Sequence, residues 1–359
     1  MTTWRDGQGE GMLPFRLVVI GASAGGTLPL IDLARGLPAD FPGAICVVTH
    51  IPSHVPSRLP DLLGNAGPLP ASHARDGERI ERGRIYCAPP DHHLLVEDDH
   101  LSVTRGPKEN RHRPAVDTLF RSAAYSQGVG VIGVVLSGML DDGTSGLWTV
   151  KRFGGTTVVQ DPEDAEMDSM PLSALDQVEV DEVVRASDLA ALLARLAARP
   201  VVDPWEVTVG DDERRRVQVE VGIARRDNAF RSGVMDFGKV TPQTCPECGG
   251  VLVQIKEGGF TRYRCHTGHA YTGDALLVSV TEHVEETLWQ TMRTLEEATM
   301  LLENTGAELE ESGNARLAEV YRARAREVEA RTRTLFDAIA RGETLSAERL
   351  RREAEQDEG

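Results

Sequence analysis

The feature that most constrains this fold is the alternation of short apolar runs with helical stretches through the first 200 residues. Apolar runs occur at Arg16–Ile20, Ala44–Thr49 and Val129–Leu136. The last of these is continuously apolar, as strands buried on both faces usually are. Helical patterns fall between the runs, for example at Leu28–Gly36 and Thr144–Phe153. This order predicts an α/β fold with a doubly wound parallel sheet and helices on both faces.

The same sequence pattern predicts shorter strands and helices between and after the elements above. The further predicted strands are Arg84–Cys87, His93–Val96 and Thr156–Gln160, and the further predicted helices are Ser57–Leu63, Pro114–Ala124 and Ala186–Ala197.

Composition narrows the class of protein. Hydrophobic residues make up 40% of the 359 residues and charged residues 26%, which is enough for a globular core. The chain has 39 Lys and Arg against 56 Asp and Glu, a net charge of −17, so we expect no nucleic-acid partner. No apolar run reaches the ~20 residues of a membrane helix, and the first residues lack the apolar stretch of a signal peptide. These features predict a cytoplasmic protein that does not insert into a membrane.

Beyond residue 200 the pattern changes twice. Two apolar stripes with three- and four-residue spacing, separated by breaks at Asn304–Gly306 and Ser312–Asn314, predict a C-terminal helical hairpin. A solvated tail and a helical element that binds a partner are both open readings of it. The predicted segments are an N-terminal extension (1–15), an α/β domain (16–200), a linker of uncertain order (201–240), a Cys/His module (241–272) and a helical tail (273–359).

A glycine-rich turn, Gly21–Gly26, lies between the first predicted strand and the first predicted helix. Dinucleotide binding needs a glycine where Ser23 stands, and the next strand ends in His50 where an acid would hold the ribose. A G-x-S-x-G elbow would instead hold the Ser23 hydroxyl out from the sheet edge. From the motif alone, a catalytic serine, a phosphate-binding turn and a structural turn all stay open.

A serine nucleophile needs a base and an acid, and two further residues match those roles. His50 follows the strand Ala44–Thr49, and Asp142 lies in the loop after Val129–Leu136. Taken singly, His50 reads as a loop histidine and Asp142 as a turn aspartate. All three residues, however, follow the carboxyl ends of predicted parallel strands, the edge where sites form in such sheets. Their coincidence favours a Ser-His-Asp hydrolytic site.

Residues from about 16 to 197 resemble the catalytic domain of the CheB-type chemotaxis receptor methylesterases. The matching stretches are VVIGASAGG (18–26), HIP (50–52), DGERIERGRIYCAPPDHHLLV (76–96), RHRPAVDTLF (111–120) and GVVLSGMLDDGTSG (133–146). The resemblance implies that Ser23 is the nucleophile, His50 the general base and Asp142 the orienting acid. Asp142 is preferred to Asp141 because the family's aspartate directly precedes a glycine. Met139 matches a methionine whose backbone N–H is an oxyanion candidate.

The reaction implied by the resemblance is hydrolysis of γ-glutamyl methyl esters on a methylated chemoreceptor, with glutamine deamidation as a second reaction and no cofactor in catalysis. The alternative is a non-catalytic signalling scaffold that works through the Cys/His module and the tail. Ala24 departs from the threonine that many members carry. The family's receiver domain is expected to be absent, because only about fifteen residues precede the first predicted strand.

The Cys/His module carries a metal-ligand pattern. Cys245 and Cys248 form a C-x-x-C knuckle, and sixteen residues later Cys265 is followed by His266 and His269. Three thiolates and one imidazole suit a tetrahedral structural zinc with no open position for catalysis. His269 is preferred because Cys265 and His266, as neighbours, would strain a shared metal. A redox thiol pair and unmetallated cysteines remain alternatives. Some stand-alone members of the family look similar in this segment.

Overall fold

The protein is described by a computed structural model at residues 12–52, 55–201 and 209–340. Residues 1–11 of the predicted extension, 202–208 of the predicted linker and 341–359 of the predicted tail lie outside the described residues. The chain divides after Ala275 into two compact units.

The strands of the described residues belong to the first unit and form two sheets and one separate hairpin. In chain order they are β1 (Leu17–Ala22), β2 (Ala44–Thr49), β3 (Ala71–His73), β4 (Ile85–Cys87), β5 (His93–Glu97), β6 (His100–Thr104), β7 (Val131–Val135), β8 (Thr156–Gln160), β9 (Glu182–Val184), β10 (Lys239–Thr244), β11 (Val251–Glu257), β12 (Phe260–Cys265) and β13 (Ala270–Thr272).

The larger sheet has seven strands in the order β3-β4-β2-β1-β7-β8-β9, and every pair is parallel. In register, Val19 of β1 lies between Cys46 of β2 and Gly133 of β7. The chain extends the sheet on one side of β1 and then returns to add β7 on the other side. The strand order therefore reverses at β1, and open α/β sheets bind their ligands beside such a reversal.

Helices cover both faces of this sheet. The helices are α1 (Thr27–Gly36), α2 (Leu59–Ala66), α3 (Val116–Gln127), α4 (Thr144–Arg152), α5 (Ser169–Gln177), α6 (Ala186–Ala197), α7 (Asp211–Ala224), α8 (Gly273–Glu311) and α9 (Ala315–Ala340). Successive β1 residues point to opposite faces, so Val19 joins a core with α3, α4 and α5, while Val18 joins a core with α1, α2 and α6. The predicted parallel α/β sheet is confirmed.

The stretch predicted as a linker contains α7. This helix buries Val217 and Val221 in the same core as α3, and its Glu220 is completely buried. Its apolar residues are few and its first turn is acidic, so the sequence around Asp211–Arg216 looks like a solvated charged run. Ion pairs between Glu220 and buried arginines add to this apolar burial, and a hydrophobic pattern does not register them.

The Cys/His module forms the second sheet, with the strand order β10-β11-β12-β13 and antiparallel pairing throughout. A parallel bridge between Glu109 and Ala270 adds the loop before α3 to the edge of this sheet at β13. The Asn110 N–H donates to the Ala270 carbonyl (2.8 Å), and the Ala270 N–H donates to the Lys108 carbonyl (3.2 Å). The module is thus joined by backbone hydrogen bonds to the loop that precedes α3.

The tail contains two helices that run antiparallel. Trp289 of α8 meets Phe336 of α9 edge-on, and Gly306 faces Ala318 and Tyr321 near the turn. Helix α8 continues through Asn304–Gly306, so the predicted break there is wrong, and the chain turns only between Glu311 and Ala315. A side-chain carbon at 306 would make only ordinary contacts with α9, at 3.4 Å or more, so the approach of the two helices does not depend on this glycine.

Among the helices of the described residues, none is long and apolar enough to span a bilayer.

Candidate active site and Cys/His cluster

The turn after β1 holds Ser23 at the carboxyl edge of the sheet. Gly25 has φ of +75°, which favours glycine, and a side chain there would collide with Ser137 and Glu166. The Ser23 N–H donates to the Ser137 carbonyl (2.9 Å), which ties the turn to the loop after the neighbouring strand β7. The glycines therefore allow a tight turn from strand to helix with the serine at its tip.

The three residues predicted for the triad meet at this edge. His50 Nδ1 lies 3.0 Å from Ser23 Oγ, and His50 Nε2 lies 2.8 Å from Asp142 Oδ2. Their parent strands β2, β1 and β7 are neighbours, so residues far apart in sequence converge. A histidine that donates from Nε2 to the carboxylate keeps a lone pair on Nδ1 for the serine proton.

Asp142 is 3% exposed and accepts hydrogen bonds at both oxygens. Oδ2 accepts from His50 and from the Val116 N–H (2.7 Å), while Oδ1 accepts from Asn110 Nδ2 (2.9 Å) and the Asp117 N–H (3.3 Å). Burial alone would raise the pKa of Asp142, but the His50 contact and these N–H donors lower it below its ordinary value. The acid is therefore a carboxylate fixed beside the N-terminus of α3.

The backbone near Met139 lies beside Ser23. A side chain at Gly138 would come within 2.8 Å of Ser23 Cβ, which shows how closely this loop approaches the serine. The N–H groups of Ser23 and Gly138 already donate to carbonyls, at Ser137 and Met167 respectively. Met139 itself is half exposed. The Met139 N–H, the predicted oxyanion donor, directly follows Gly138 in this loop.

Two site residues escaped the sequence analysis, although the matched stretch RHRPAVDTLF begins beside one and contains the other. Asn110 donates from Nδ2 to Asp142 and also to Asp117 Oδ2 (2.9 Å). The ring of His112 stacks on the ring of His50. The only sequence signal for Asn110 is its position directly before the matched stretch 111–120. Its hydrogen-bond partners, Asp117, Asp142 and Thr272, are not its neighbours in the sequence.

Two more carboxyl groups lie close to Asp142. Burial, followed by repulsion from Asp142, raises the pKa of Asp117 to about 7. Burial also raises the pKa of Asp141 to about 7, against the hydrogen bond that Thr272 Oγ1 donates to it (2.7 Å). Asp142 alone of these three carries the contact to His50, so the geometry matches the preference for Asp142 over Asp141.

The Cys/His module brings four metal-ligand side chains together. The ligand atoms of Cys245, Cys248, Cys265 and His269 all lie within 4.8 Å of one another. Cys248 Sγ and Cys265 Sγ are 3.8 Å apart, and His269 Nδ1 is 3.6 Å from Cys265 Sγ. A tetrahedron with Zn–S of ~2.3 Å and Zn–N of ~2.0–2.1 Å has edges of about 3.8 and 3.6 Å. The set therefore fits zinc, and His266 is not among the four residues.

Six buried charged residues join this module to the α/β sheet, and we call them the buried ion network: Glu109, Arg121, Glu220, Glu257, Arg262 and Arg264. Arg121 of α3 donates to Glu109 (3.0 Å), and Arg264 of β12 donates to the other oxygen of Glu109 (2.6 Å). Burial would raise the pKa of Glu109, but the three arginines lower it to about 2. Three positive and three negative charges therefore balance inside the first unit.

Comparisons with known proteins concern the first half of the chain. The family model "CheB methylesterase" matches residues 18–193. A protein-glutamate methylesterase/protein-glutamine glutaminase of Rhodospirillum rubrum is 35% identical over 187 residues, which are 51% of each chain. A putative protein of the same name from Leptospira interrogans is 37% identical over 183 residues, covering 51% of this chain and 95% of the relative. The crystal structure of the Thermotoga maritima CheB methylesterase catalytic domain is 34% identical, with a TM-score of 0.49, and covers 51% of this chain and all of that one.

The parallel α/β sheet, with serine, histidine and aspartate in contact at its carboxyl edge, places the chain among α/β proteins with a hydrolase-like site. Within that class, the chain belongs to the CheB methylesterase family. The chain spans about half the length of several curated relatives that it matches. The match ends before α7, so that helix, the Cys/His module and the tail lie outside it.

Proposed function

We propose that this protein is a protein-glutamate methylesterase that hydrolyses γ-glutamyl methyl esters of chemoreceptors in chemotaxis-type signalling. The observation that carries the proposal is the continuous contact from Ser23 Oγ through the His50 ring to Asp142. Family membership supplies the substrate class, since the relatives are named for this reaction and for glutamine deamidation. We place the reaction in the cytoplasm, where the reduced state of the described cysteines would be maintained.

The proposed chemistry needs only side chains and backbone of this chain. His50 Nδ1 takes the proton of Ser23 as Oγ bonds to the ester carbonyl carbon, and Asp142 stabilises the imidazolium that forms. The tetrahedral oxyanion accepts a hydrogen bond from the Met139 N–H, a kind of contact typically worth about 10²–10³ in rate. The C–O bond to the methoxy group then breaks, and the imidazolium proton leaves with it as methanol.

The second half of the reaction repeats these roles with water. His50 removes a proton from water, whose oxygen attacks the acyl carbon, and the ester bond to Ser23 breaks. The proton returns to Ser23 Oγ, and a glutamate side chain is released. Glutamine would follow the same course with ammonia as the first leaving group.

The decisive experiment is a methanol-release assay on membranes that carry methylated receptors. Ser23→Ala should reduce release to background while the fold is retained, because no other group in the triad can form the acyl bond. The matched control is Ser232→Ala, which changes a serine in the turn after α7 and should leave release unchanged. Full release by the Ser23 variant would refute the proposed mechanism.

A fluorophosphonate label separates the enzyme from the scaffold alternative. It should react with Ser23 in the native protein and fail in a His50→Ala variant, because an unactivated serine is a poor nucleophile. Labelling without methanol release would indicate a serine hydrolase with a different substrate. Absence of both would favour the scaffold.

We also propose that Cys245, Cys248, Cys265 and His269 hold one structural zinc ion. Three distances that match tetrahedral edges support this: 3.8 Å between Cys248 and Cys265 Sγ, and 3.6 and 3.7 Å from His269 Nδ1 to Cys265 and Cys245 Sγ. The distance between the two sulfur atoms is also far beyond a disulfide bond. Zinc bound in this way would supply folding free energy to a small four-stranded sheet. With four protein ligands there is no open position, so the ion would have no part in ester hydrolysis.

Metal analysis of the purified protein tests the zinc site. We expect about one zinc per chain in the native protein and in His266→Ala, but a clear loss in His269→Ala. The two histidines lie three residues apart, so they form a matched pair. Zinc retained by the His269 variant and lost by the His266 variant would overturn the ligand assignment.

The tail remains a predicted site for a helical partner. Side chains that support this lie on the surfaces of α8 and α9, where Val284, Met300, Leu301 and Val320 are more than half exposed. Val284 belongs to the stripe predicted from sequence.

A further inference from the structure

Strand β13 runs between the Cys/His cluster and the loops of the proposed triad. His269, a cluster residue, directly precedes this strand, and the Tyr271 hydroxyl lies 3.4 Å from Cys245 Sγ. The next residue, Thr272, is 3% exposed and contacts the loops on the other side. The four consecutive residues 269–272 therefore connect the module's cluster with the site around Asp142.

Thr272 makes two hydrogen bonds to those loops. Its N–H donates to Asn110 Oδ1 (2.9 Å), and its Oγ1 donates to Asp141 Oδ1 (2.7 Å). Asn110 belongs to the loop before α3 and Asp141 to the loop after β7. One residue of the module therefore holds both loops that surround the acid of the triad.

The contact to Asn110 determines which way its amide faces. A carboxamide has an acceptor oxygen on one side and a donor nitrogen on the other. Because the oxygen is engaged by Thr272, the nitrogen faces Asp142 Oδ1 and Asp117 Oδ2, both at 2.9 Å. Asn110 is 3% exposed, so water cannot readily take over either contact. A reversed amide would set an oxygen against two carboxyl groups.

Backbone hydrogen bonds and buried ion pairs fix the module beside the loop that precedes α3. The backbone bonds between Ala270 and residues Lys108 and Asn110 lie directly beside the Thr272 contacts. The buried ion network adds Arg262 and Arg264 of β12 to Glu220 of α7 and Glu109 of the same loop. These contacts all lie within the first compact unit.

We infer that Asn110 and Thr272 are positioning residues of the proposed esterase, through which the Cys/His module orients Asp142 toward His50. The inference rests on the proposed function, and it extends the working site beyond the segment that matches the family, since Thr272 lies 79 residues after Leu193, where the match ends. Neither residue touches substrate. Their effect passes through the carboxylate of Asp142, which keeps the imidazole in the orientation and tautomer that the serine requires.

The test compares Asn110→Gly, Thr272→Val and Thr272→Ser with the native protein. Glycine at 110 removes the amide while accepting the φ of +48° found there. Two quantities are measured: the steady-state constants for methyl-ester hydrolysis, and the downfield proton NMR signal of the His50 N–H that faces Asp142. Loss of the outer hydrogen bond that orients a metal-ligating side chain typically costs about 10–100-fold, and we expect a loss of the same order for a bond that orients Asp142.

We expect Asn110→Gly to lower kcat by about 10–100-fold with little change in KM, and to shift or broaden the His50 signal. Thr272→Val keeps the N–H that holds Asn110 and removes only the hydroxyl bond to Asp141. It should therefore lower kcat a few-fold and shift the signal, while Thr272→Ser, which keeps the hydroxyl, should match the native protein in both. If Asn110→Gly does not fold, Asn110→Asp, which tolerates the same φ but replaces the donor nitrogen with an oxygen, should show the same losses. Native kcat and an unchanged signal in a folded Asn110 variant would overturn the inference, and identical behaviour of the valine and serine variants would overturn the part that rests on the Thr272 hydroxyl.

The NMR signal separates this inference from the proposed function. The contact between His50 and Asp142 exists without substrate, so its response to the three variants can be read whatever ester the enzyme hydrolyses. A native protein that releases no methanol would refute the methylesterase proposal alone. A His50 signal that is unchanged in the variants at residues 110 and 272 would refute the positioning inference alone.

Discussion

His112 lies flat against His50, with ring centroids 3.7 Å apart and ring planes 7° from parallel. Burial, and then the nearby His50, lower the pKa of His112 to about 3, so this second imidazole is neutral at working pH. A neutral ring in this position restricts rotation of His50 and adds no positive charge against the imidazolium that forms during catalysis. His112 thus packs one side of the proposed general base.

Replacing this ring tests its role. His112→Ala should lower kcat for ester hydrolysis about tenfold, because His50 gains rotational freedom, whereas His112→Phe should retain most of it by keeping a flat ring. Steady-state kinetics on the same methylated substrate provide the measurement. Equal rates for the alanine variant and the native protein would show that stacking is not required.

The adjacent aspartates Asp141 and Asp142 give a matched pair of substitutions. Asp142→Asn should lower kcat by roughly 10³–10⁴-fold, because an amide at this place favours the wrong histidine tautomer. Asp141→Asn should cost less than about tenfold, because residue 141 contacts Thr272 and not His50. Methanol release measures both variants. The opposite order of losses would reassign the acid of the triad to Asp141.

The raised pKa of Asp141, about 7, predicts a pH dependence of stability. Between the ordinary carboxyl pKa near 4 and about pH 7, the folded chain keeps a proton that the unfolded chain has released. The free energy of unfolding must therefore fall as pH rises through this range. Asp141→Asn mimics the protonated form and should reduce that fall, with a gain of the order of 1 kcal/mol at pH 8 and little effect at pH 5.

Urea unfolding at both pH values measures this difference. The control is Asp40→Asn, at an exposed carboxyl group. A parallel pH profile for the native protein and the Asp141 variant would mean that Asp141 does not keep its proton in the folded state.

The buried ion network predicts a large asymmetry between two conservative substitutions. Glu220→Gln leaves buried arginines without their counter-charge and should lower the free energy of unfolding by about 3–5 kcal/mol. Asp32→Asn breaks the exposed pair with Arg35 and should cost less than about 1 kcal/mol. Chemical denaturation followed by far-ultraviolet circular dichroism compares them. Equal losses would contradict a structural role for the network.

Sequence patterns predicted many of the elements that bury apolar side chains, but not β6 or α5, which bury Leu101 and Met170. Strand Thr156–Gln160 and helix Ala186–Ala197 have the predicted bounds. The short edge strands Ala71–His73 and Glu182–Val184 were missed, because three partly exposed residues are too few to show a hydrophobic alternation. Helix α7 was missed because its charged first turns hide the apolar spacing of Val217 and Val221, and because its buried Glu220 leaves no hydrophobic signal.

For the site, the sequence predicted the residues that follow strand ends. Parallel strands bring their carboxyl ends to one edge, so Ser23, His50 and Asp142 could be placed together without knowing any contact. Asn110 and Thr272 could not, because their meeting depends on how two sheets pack and on a positive φ at Asn110. Packing between segments 162 residues apart leaves no periodic signal in either one.

The ion network also bears on how the family-matching segment behaves once it is cut out. A fragment ending at residue 200 would retain the pair Arg121 and Glu109 but lose the other four members, Glu220, Glu257, Arg262 and Arg264, so the remaining ion pair would face water where it had been buried. Asn110 would at the same time be released from its neighbour on β13. A protein trimmed to its family-matching half should therefore admit water to this interior, be less rigid and hydrolyse its ester more slowly than the intact chain.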